Sequence, residues 1–186
     1  KLNMNIFFLD KKVGPCARYH VDKHVVKMIL EYSQILSTAH RVLDGELVIQ
    51  KVPSKKDPSK FRNKRVYKLN SYREDFLYQA THINHPCVKW TMENDKNYIW
   101  LYWLLEALHK EYTYRYDKAH KSMRLLPSLF DPPTNIPKAS KNSPIALAMP
   151  DEYKTSNPEE SYRQYYMGSK RHIAKWKNRP IPSWYV

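Results

Sequence analysis

The stretch RYHVDKHVVKMILEYSQILSTAHRVL, residues 18–43, decides the fold class of this chain. Its apolar residues recur three and four positions apart, which is the spacing of one face of an α-helix. The predicted core face comprises Val21, Val25, Met28, Ile29, Tyr32, Ile35, Leu36 and Ala39. Gly45 follows as a stop signal, so the pattern predicts one long amphipathic helix from about Arg18 to Leu43.

Three more helices are predicted farther along the chain. Residues 95–116 repeat the helical spacing, with core positions at Tyr98, Leu101, Leu105, Leu108 and Tyr112. Ser71-Tyr-Arg-Glu74 has the form of a capping box and predicts a helix to about Ala80. Asn157-Pro-Glu-Glu160 combines an N-cap, a proline and two acids, which predicts a basic C-terminal helix over residues 158–177.

The remaining segments are predicted to be extended or irregular. The apolar run at residues 5–10 predicts a short buried strand, and residues 46–52 alternate weakly enough to form another. Residues 53–68 hold seven Lys and Arg residues against one acid, which predicts an exposed basic loop or hairpin. Residues 127–150 contain six prolines and predict an irregular segment that crosses the domain. Its expected anchors are Phe130, Ile136, Ile145 and Leu147.

These elements together predict a mainly α fold. We expect a compact single-domain helical bundle over residues 1–186, with at most a small β-hairpin and a Pro-rich irregular crossing segment. A chain of this length buries about 70% of the surface that its unfolded form exposes. Lys1-Leu-Asn3 precede Met4, so we expect residues 1–3 to be a cloning remnant before the natural start.

Composition narrows the function. The chain carries 32 Lys and Arg against 18 Asp and Glu, a net charge of +14, and 13% aromatic residues, which favours a nucleic-acid or nucleotide partner. Three glycines are too few for a Walker loop or a dinucleotide fingerprint, so no cofactor is expected. Two cysteines, Cys16 and Cys87, indicate a reducing compartment, and no membrane span is visible. We therefore expect a cytoplasmic protein, in the host cell if it is viral.

A row of polar residues, which we call the polar file, runs along the first predicted helix and holds the candidate catalytic side chains. At about 100° per residue, these side chains lie within roughly 80° of the helix circumference. The file consists of His20, His24, Lys27, Glu31, Gln34 and Thr38. Two imidazoles, an amine and a carboxylate on a rigid element can hold acid, base and nucleophile side by side. The alternative is an ordinary solvated helix edge on which Lys27 and Glu31 form an i,i+4 ion pair.

The same helix offers a metal-site alternative. His20 and His24 lie one turn apart, as zinc-binding histidines do in zincins. Glu31, His82 or His85 would complete the shell. The glutamate that follows the first histidine in zincins is absent here, because Val21 follows His20.

Other residues are assigned to substrate or nucleic-acid contacts. His82 and His85 lie in a turn between helices, where His85 can alternatively cap the next helix, and Arg115 lies at a Tyr-rich helix end. The predicted nucleic-acid contacts are Lys55, Lys56, Arg62, Lys64, Arg65, Lys170, Arg171, Lys175 and Trp184. Trp90, Trp100 and Trp103 stand at helical spacing, which favours core or half-buried positions over a stacking platform.

Two resemblances cover parts of the chain. An uncharacterised protein family of phages and large viruses has segments that resemble Met4–Asp10, Tyr19–Met28, Asn84–Pro86, Glu111–Tyr116, Ala148–Tyr153 and the Trp-ending tail of this chain. That resemblance extends over most of the chain and implies no activity.

The second resemblance is to phage-type pyrimidine-dimer DNA glycosylases, which are small, basic and helical. His24 and Glu31 have the seven-residue spacing that joins a histidine to the catalytic glutamate in that family, and Arg179-Pro180 with a Trp-Tyr tail is similar to its lesion-contacting end. The resemblance implies a catalytic role for Glu31. Those enzymes use the amine of an N-terminal threonine, which this chain lacks, so Lys27 is the candidate substitute amine.

The sequence therefore supports three hypotheses. The first is an enzyme that acts on DNA bases or nucleotides, glycosylase-like or base-modifying, with Glu31, His24 and Lys27 as catalytic residues and His20, Gln34, Thr38, His82, His85 and Arg115 around the substrate. The second is a non-catalytic nucleic-acid-binding viral accessory protein. The third is a metal-dependent hydrolase built on His20 and His24.

Overall fold

Two long antiparallel helices form the centre of the molecule, which is known from a computed structural model that describes residues 4–186. The first carries His40 near its C-terminal end, bonded to Tyr98 near the start of the second. At the opposite end, Asp22 pairs with Arg115 across 3.0 Å. These two contacts set the helices side by side in opposite directions.

The secondary structure confirms the mainly α prediction. The helices are α1 (Val13–Tyr19), α2 (Asp22–Asp44), α3 (Arg73–Phe76), α4 (Pro86–Glu93), α5 (Asp95–Tyr116), α6 (Leu126–Leu129) and α7 (Pro158–Met167). One antiparallel hairpin is present among the described residues, with strands β1 (Glu46–Pro53) and β2 (Phe61–Lys68). Short 3-10 turns lie at Lys121–Leu125, Asp151–Tyr153 and Arg171–Ile173.

The buried apolar residues form one cluster. Helix α2 packs against α5 and α4, and α1 packs against α5. Val25, Ile29 and Leu36 of α2 are fully buried, as are Leu101 and Leu105 of α5. Between residues 4 and 186, no helix has both the length and the apolar character that a membrane crossing requires. The cloning remnant predicted at residues 1–3 lies outside the described residues.

The prediction of one helix from Arg18 to Leu43 was wrong at its start. The chain leaves α1 after Tyr19, and His20 has an extended backbone with a ψ of 131° before α2 begins. The carbonyl of His20 accepts a hydrogen bond from Arg115, and its imidazole is bonded on both sides. Tertiary contacts at His20 therefore break a helical pattern that is continuous in the sequence.

The predicted strand at residues 5–10 is also wrong, although the segment is buried. Its backbone bonds to side chains instead of a neighbouring strand. The Ile6 N–H lies 3.5 Å from Cys87 Sγ, and the Phe7 N–H donates to the Tyr32 hydroxyl at 3.1 Å. Buried backbone groups need partners, and here the helices supply them. Both cysteines of the chain are free and buried.

Strand β1 confirms the prediction for residues 46–52, and residues 53–68 prove to be a hairpin rather than a loop. The register pairs Glu46 with Lys68 and Pro53 with Phe61. Gly45 ends α2 as predicted. A Cβ at Gly45 would lie 2.3 Å from the Arg41 carbonyl oxygen, so the tight turn into β1 requires glycine.

Two predicted helices are shorter than expected. The helix predicted from Ser71 to Ala80 covers only Arg73–Phe76, because the Glu74 carboxylate binds Arg41 and the Leu69 N–H instead of returning to the Ser71 backbone.

The C-terminal helix begins as predicted, with the Asn157 side chain accepting from the Glu160 N–H. It ends at Met167 rather than at Lys177. Gly168 lies against Tyr153, where a Cβ would meet the ring at 2.5 Å, and the chain turns away there. The basic residues beyond Gly168 therefore lie on turns, not on a helix face.

The Pro-rich segment crosses the surface as predicted, apart from the single turn of α6 at its start. Ile136 and Ile145 are buried and anchor it, whereas Phe130 is 53% exposed and packs edge to face on Tyr102 and Trp103 at the surface. Leu147 is half-buried against the core.

Candidate functional site

The polar file predicted on the first helix does not present a uniform face to solvent. His24 and Thr38 are buried, Gln34 is half-buried, and Lys27 projects into solvent with 51% of its side chain exposed. Glu31 lies between them with only 12% of its side chain exposed. The file is therefore the covered edge of α2 rather than a solvated one.

His20 is a structural residue. Its Nδ1 lies 2.7 Å from the Cys16 carbonyl oxygen and its Nε2 lies 2.8 Å from the Tyr32 hydroxyl. Burial lowers the pKa of His20 to about 4, so its ring is neutral near pH 7. Both ring nitrogens are occupied, which leaves none for a substrate.

These bonds also weaken the metal-site alternative, since a metal needs a free ring nitrogen. Within residues 4–186, no three side chains of His, Cys, Asp or Glu come together as a group that could hold a metal ion.

His24 joins α2 to the C-terminal segment. Its Nδ1 lies 2.6 Å from the Tyr166 hydroxyl, and its ring stacks on Phe7 with centroids 4.1 Å apart. Burial, followed by the charges of His20, Lys170 and Lys27, lowers the pKa of His24 to about 2. The imidazole is thus neutral at ordinary pH, which suits a positioning group better than a proton-transfer group.

Glu31 has the least satisfied carboxylate in the file. Its Oε1 lies 3.6 Å from Lys27 Nζ, while its Oε2 is buried and has no hydrogen-bond partner. Burial raises the pKa of Glu31, and the nearby Lys27 ammonium opposes that rise. A buried carboxylate oxygen without a hydrogen-bond partner is costly, and this oxygen is also closed to solvent.

The C-terminal end of the file meets the loop at residues 81–85. Thr38 Oγ1 accepts from the Thr81 N–H at 3.1 Å. His82 follows in the left-handed region, with a φ of 51° and its Nδ1 2.7 Å from the Thr81 hydroxyl. Positive φ is uncommon outside glycine and often marks a functional position. His82 also lines a cavity of about 190 Å³ with Lys64 and Arg65 of β2.

His85 has the capping role that the sequence left open. Its Nδ1 accepts from the Cys87 N–H at 3.1 Å, at the start of α4. Desolvation lowers the pKa of His85, with the charge of His82 adding to the effect. The lowered pKa favours the neutral ring, and its Nδ1 is committed to the helix.

Arg115 lies in the core rather than at a surface. It is 2% exposed, and its guanidinium donates to Glu111, Asp22 and the carbonyls of His20 and Arg18. Its contacts describe a structural residue, with no free donor directed at a substrate.

The hairpin is the most exposed basic element, and we call it the β-ribbon (residues 46–68). Five predicted nucleic-acid contacts lie on it: Lys55, Lys56, Arg62, Lys64 and Arg65. All five are exposed, and in the described part of the chain none of them forms an ion pair. Their charges are therefore available to a polyanion.

The β-ribbon also has an exposed apolar face that the sequence analysis did not identify. Side chains alternate along a strand, so the register places Leu47, Ile49 and Phe61 on one side together with Arg65. Ile49 is 67% exposed and Phe61 69%. On this face the Lys51–Asn63 pair lies between Ile49 and Phe61, so the exposed apolar side chains are separate rather than one contiguous patch. The alternation of apolar and polar residues over 46–52 indicated such a face, but only the strand register shows which residues of the second strand share it.

The predicted contacts at the C-terminal end have partners. Lys170 lies over the Tyr165 ring and Arg171 over the Tyr185 ring. Lys175 is exposed. Trp184 is half-buried among Tyr19, Tyr166 and Arg163, and its Nε1 is buried without a hydrogen-bond partner.

Arg41 was missed by sequence reasoning and holds the β-ribbon to α2. It is fully buried and donates to the carbonyls of Tyr67, Leu77 and Tyr78, and to Glu74. No local signal distinguishes it from a surface arginine, because all its partners lie at least 26 residues away in the sequence.

The arrangement as a whole is a polar file with a basic group at each end. His24 places Tyr166 and Lys170 at one end, and Thr38 places His82 and the β-ribbon at the other. Comparison with protein-family models, with curated proteins and with solved structures finds no match to this chain.

Proposed function

We propose that this protein binds duplex nucleic acid, preferably DNA, along α2 and acts on a base or nucleotide at Glu31. The observation that carries the proposal is the buried, unpartnered Oε2 of Glu31 in the middle of a file with basic ends. Structural carboxylates are normally satisfied, so one that is not, beside Lys27 and with a raised pKa, is a candidate for chemistry.

The dimensions of the file fit a duplex. The accessible members of the file run from Lys27 to Gln34 and span about 10 Å along the helix axis, at 1.5 Å per residue. This length matches about three base pairs at 3.4 Å each. The two-stranded β-ribbon is of the size that enters a major groove, and its unpaired Lys64 and Arg65 supply phosphate contacts.

The chemistry that fits these groups is glycosylase-like. Hydrolysis joins the oxygen of water to the sugar C1′ and breaks the bond from C1′ to the base nitrogen, so the electron pair leaves with the base. Glu31 takes the proton from the attacking water and stabilises the positive charge that develops on the sugar. This step requires substrate binding to expose its buried Oε2. Lys27 contacts a phosphate, and the neutral His24 positions the segment that carries Tyr166.

A second candidate is binding without catalysis, which the exposed apolar face of the β-ribbon favours. Ile49 and Phe61 project beside Arg65, and apolar side chains of this kind insert between base steps in architectural proteins that bend DNA. In that case the protein has no catalytic activity and Glu31 has no catalytic role.

The Glu31→Gln variant separates the two candidates. Duplex oligonucleotides that carry a panel of modified and damaged bases are incubated with protein, and free base is measured by mass spectrometry. We expect Glu31→Gln to lose at least about 100-fold in base release while duplex affinity, measured by fluorescence anisotropy, changes little. Full turnover by this variant would remove Glu31 from the mechanism.

Glu106→Gln is the matched control. Glu106 pairs with Lys110 at i,i+4 on α5, as Glu31 pairs with Lys27 on α2. We expect the control to keep wild-type turnover. A wild-type protein that binds duplex tightly and releases no base from any member of the panel would leave only the binding candidate.

A further inference from the structure

A concave site lies away from Glu31, between the N-terminal segment, α4, α5, the Pro-rich segment and the start of α7. Its aromatic walls are Phe8, Trp90 and Trp100, and Lys11 and Lys141 stand at its rim. The cleft has a volume of about 390 Å³. This volume lies in the range of small-molecule sites, which are mostly apolar with a few placed polar groups.

The aromatic walls are held in place. The indole N–H of Trp100 donates to the Lys11 carbonyl at 2.9 Å, and that of Trp90 donates to the Ser143 carbonyl at 3.0 Å. The two indoles meet edge to face with centroids 6.1 Å apart, and Phe8 packs on Trp100 at 4.9 Å. Because both indoles are already oriented, a ring that stacks on them loses little affinity to ordering.

The rim is positively charged and unneutralised. Lys11 and Lys141 are exposed, and neither forms an ion pair within residues 4–186. An aromatic wall beside two free ammonium groups is complementary to a planar ring that carries an anion. Nucleotides combine these two features, and base stacking on aromatic side chains tolerates any sequence.

We propose that this cleft binds one nucleotide of a single-stranded segment, with the base on Trp100 and the phosphate between Lys11 and Lys141. An adjoining cleft of about 500 Å³ shares Trp90 and Pro144 with it and adds Lys89 and Glu93. Its volume leaves room for the base of the next nucleotide, with the phosphate on the Lys89 side, away from the Glu93 carboxylate. The site shares its nucleic-acid partner with the proposed function but is independent of the chemistry at Glu31.

The adjoining cleft also connects this site to the candidate interface. Pro86 lines it, and Pro86 follows His85 of the 81–85 loop directly. One wall of the adjoining cleft therefore directly follows the 81–85 loop in the chain.

The test measures binding of fluorescein-labelled hexathymidylate by anisotropy at low salt. Lys11→Glu/Lys141→Glu reverses both rim charges on exposed side chains, and we expect it to weaken binding at least about tenfold. The control Lys118→Glu/Lys121→Glu makes the same charge change just beyond the far end of α5, and that end lies about 24 Å from Trp100 along the helix axis. We expect the control to weaken binding less than about threefold.

Indole N–H resonances give a readout at the residues themselves. We expect addition of dTMP to shift the Trp90 and Trp100 resonances, assigned with Trp90→Phe and Trp100→Phe, and to leave that of Trp176 in place. Equal losses in the two charge-reversal variants, or no shift at Trp90 and Trp100, would overturn the proposal. An uncharged proline-rich peptide serves as a competitor. If it displaces the bound oligonucleotide at a lower concentration than dTMP does, the cleft is a peptide site instead.

The outcomes of this experiment distinguish a failure of the cleft proposal from a failure of the proposed function. Wild-type protein that binds duplex but not hexathymidylate would refute the cleft and leave the α2 interface standing. Wild-type protein that binds hexathymidylate at Trp100 but no duplex would refute the interface and leave the cleft.

Discussion

Arg41 and Arg65 are the same side chain in two regions that use it in opposite ways. Arg41 on α2 is fully buried, and its guanidinium donates to four residues at hydrogen-bond distances of 2.6 to 3.0 Å. Arg65 on the β-ribbon is exposed and forms no ion pair in the described part of the chain. A net charge of +14 therefore does not describe the binding surface until each basic residue is sorted by burial.

The two long helices offer a similar contrast between carboxylates. Glu106 and Lys110 on α5 form a close pair at 2.9 Å, with Glu106 on the N-terminal side, which is the favourable order for an i,i+4 pair. On α2 the order is reversed, the separation is 3.6 Å, and one oxygen of Glu31 has no partner. The α2 pair therefore stabilises its helix less than the α5 pair does, and the proposed role of Glu31 would explain why this pair is present.

The largest expected effect is a difference in the free energy of unfolding between variants of Arg41 and Arg65. We expect Arg41→Met to lower the free energy of unfolding by about 3 to 5 kcal/mol, because it leaves Glu74 and the Tyr67 and Leu77 carbonyls without their donor. The matched variant Arg65→Met should stay within about 0.5 kcal/mol of wild type. Urea unfolding followed by tryptophan fluorescence measures both. Similar losses in the two variants would erase the distinction.

The next effect is on binding and concerns the β-ribbon alone. We expect Lys64→Glu/Arg65→Glu to weaken duplex DNA binding by about 100-fold at low salt and to reduce the salt slope of log K by about 2. The free energy of unfolding should be unchanged, since both side chains are exposed. Anisotropy over a salt series checks this result, with Lys118→Glu/Lys121→Glu as the charge-matched control. An equal loss in the control would mean that only net charge matters.

The smallest effect is the pH dependence of stability at Glu31. Burial raises the pKa of this carboxyl in the native state, so the native protein holds its proton more tightly than the unfolded chain does. That contribution to stability is complete below the unfolded pKa and is lost as the pH rises through the native pKa. We expect Glu31→Gln to remove this decline and to be about 1 kcal/mol more stable than wild type near neutral pH.

The Glu31 prediction is checked by urea unfolding between about pH 4 and pH 8, with Glu106→Gln measured alongside. A Glu31→Gln variant that is less stable than wild type at neutral pH would show that the carboxylate is a satisfied structural group. That result would remove the evidence for a catalytic role of Glu31.

Sequence periodicity predicted the elements whose signals are local. The bounds of α5 agree with the predicted range of residues 95–116, and the Asn157 cap of α7 is present as expected. The failures occurred where a distant residue decided the outcome. His20 breaks a continuous helical pattern because it is bonded to Tyr32 and Arg115, and α7 stops where Gly168 meets Tyr153.

The candidate site was predicted in its composition but not in its arrangement. The pattern placed His24, Lys27 and Glu31 on one side of a helix, and they are on one side of α2. It gave no means of knowing that His24 would be neutral against Tyr166, or that Arg115 would be in the core. The aromatic cleft at Trp100 escaped prediction because its lining residues come from five separate segments.

The sequence by itself determined the mainly α class, the two long helices, the hairpin-forming segment and the positive charge. These follow from residue spacing and composition, which act between neighbours in the chain. Only the tertiary structure decided which polar residues are satisfied and which are not: it buried Arg41 with five hydrogen bonds, and it left Glu31 Oε2 with none. Burial depends on which distant segments cover a residue, and that information appears only when the chain has folded.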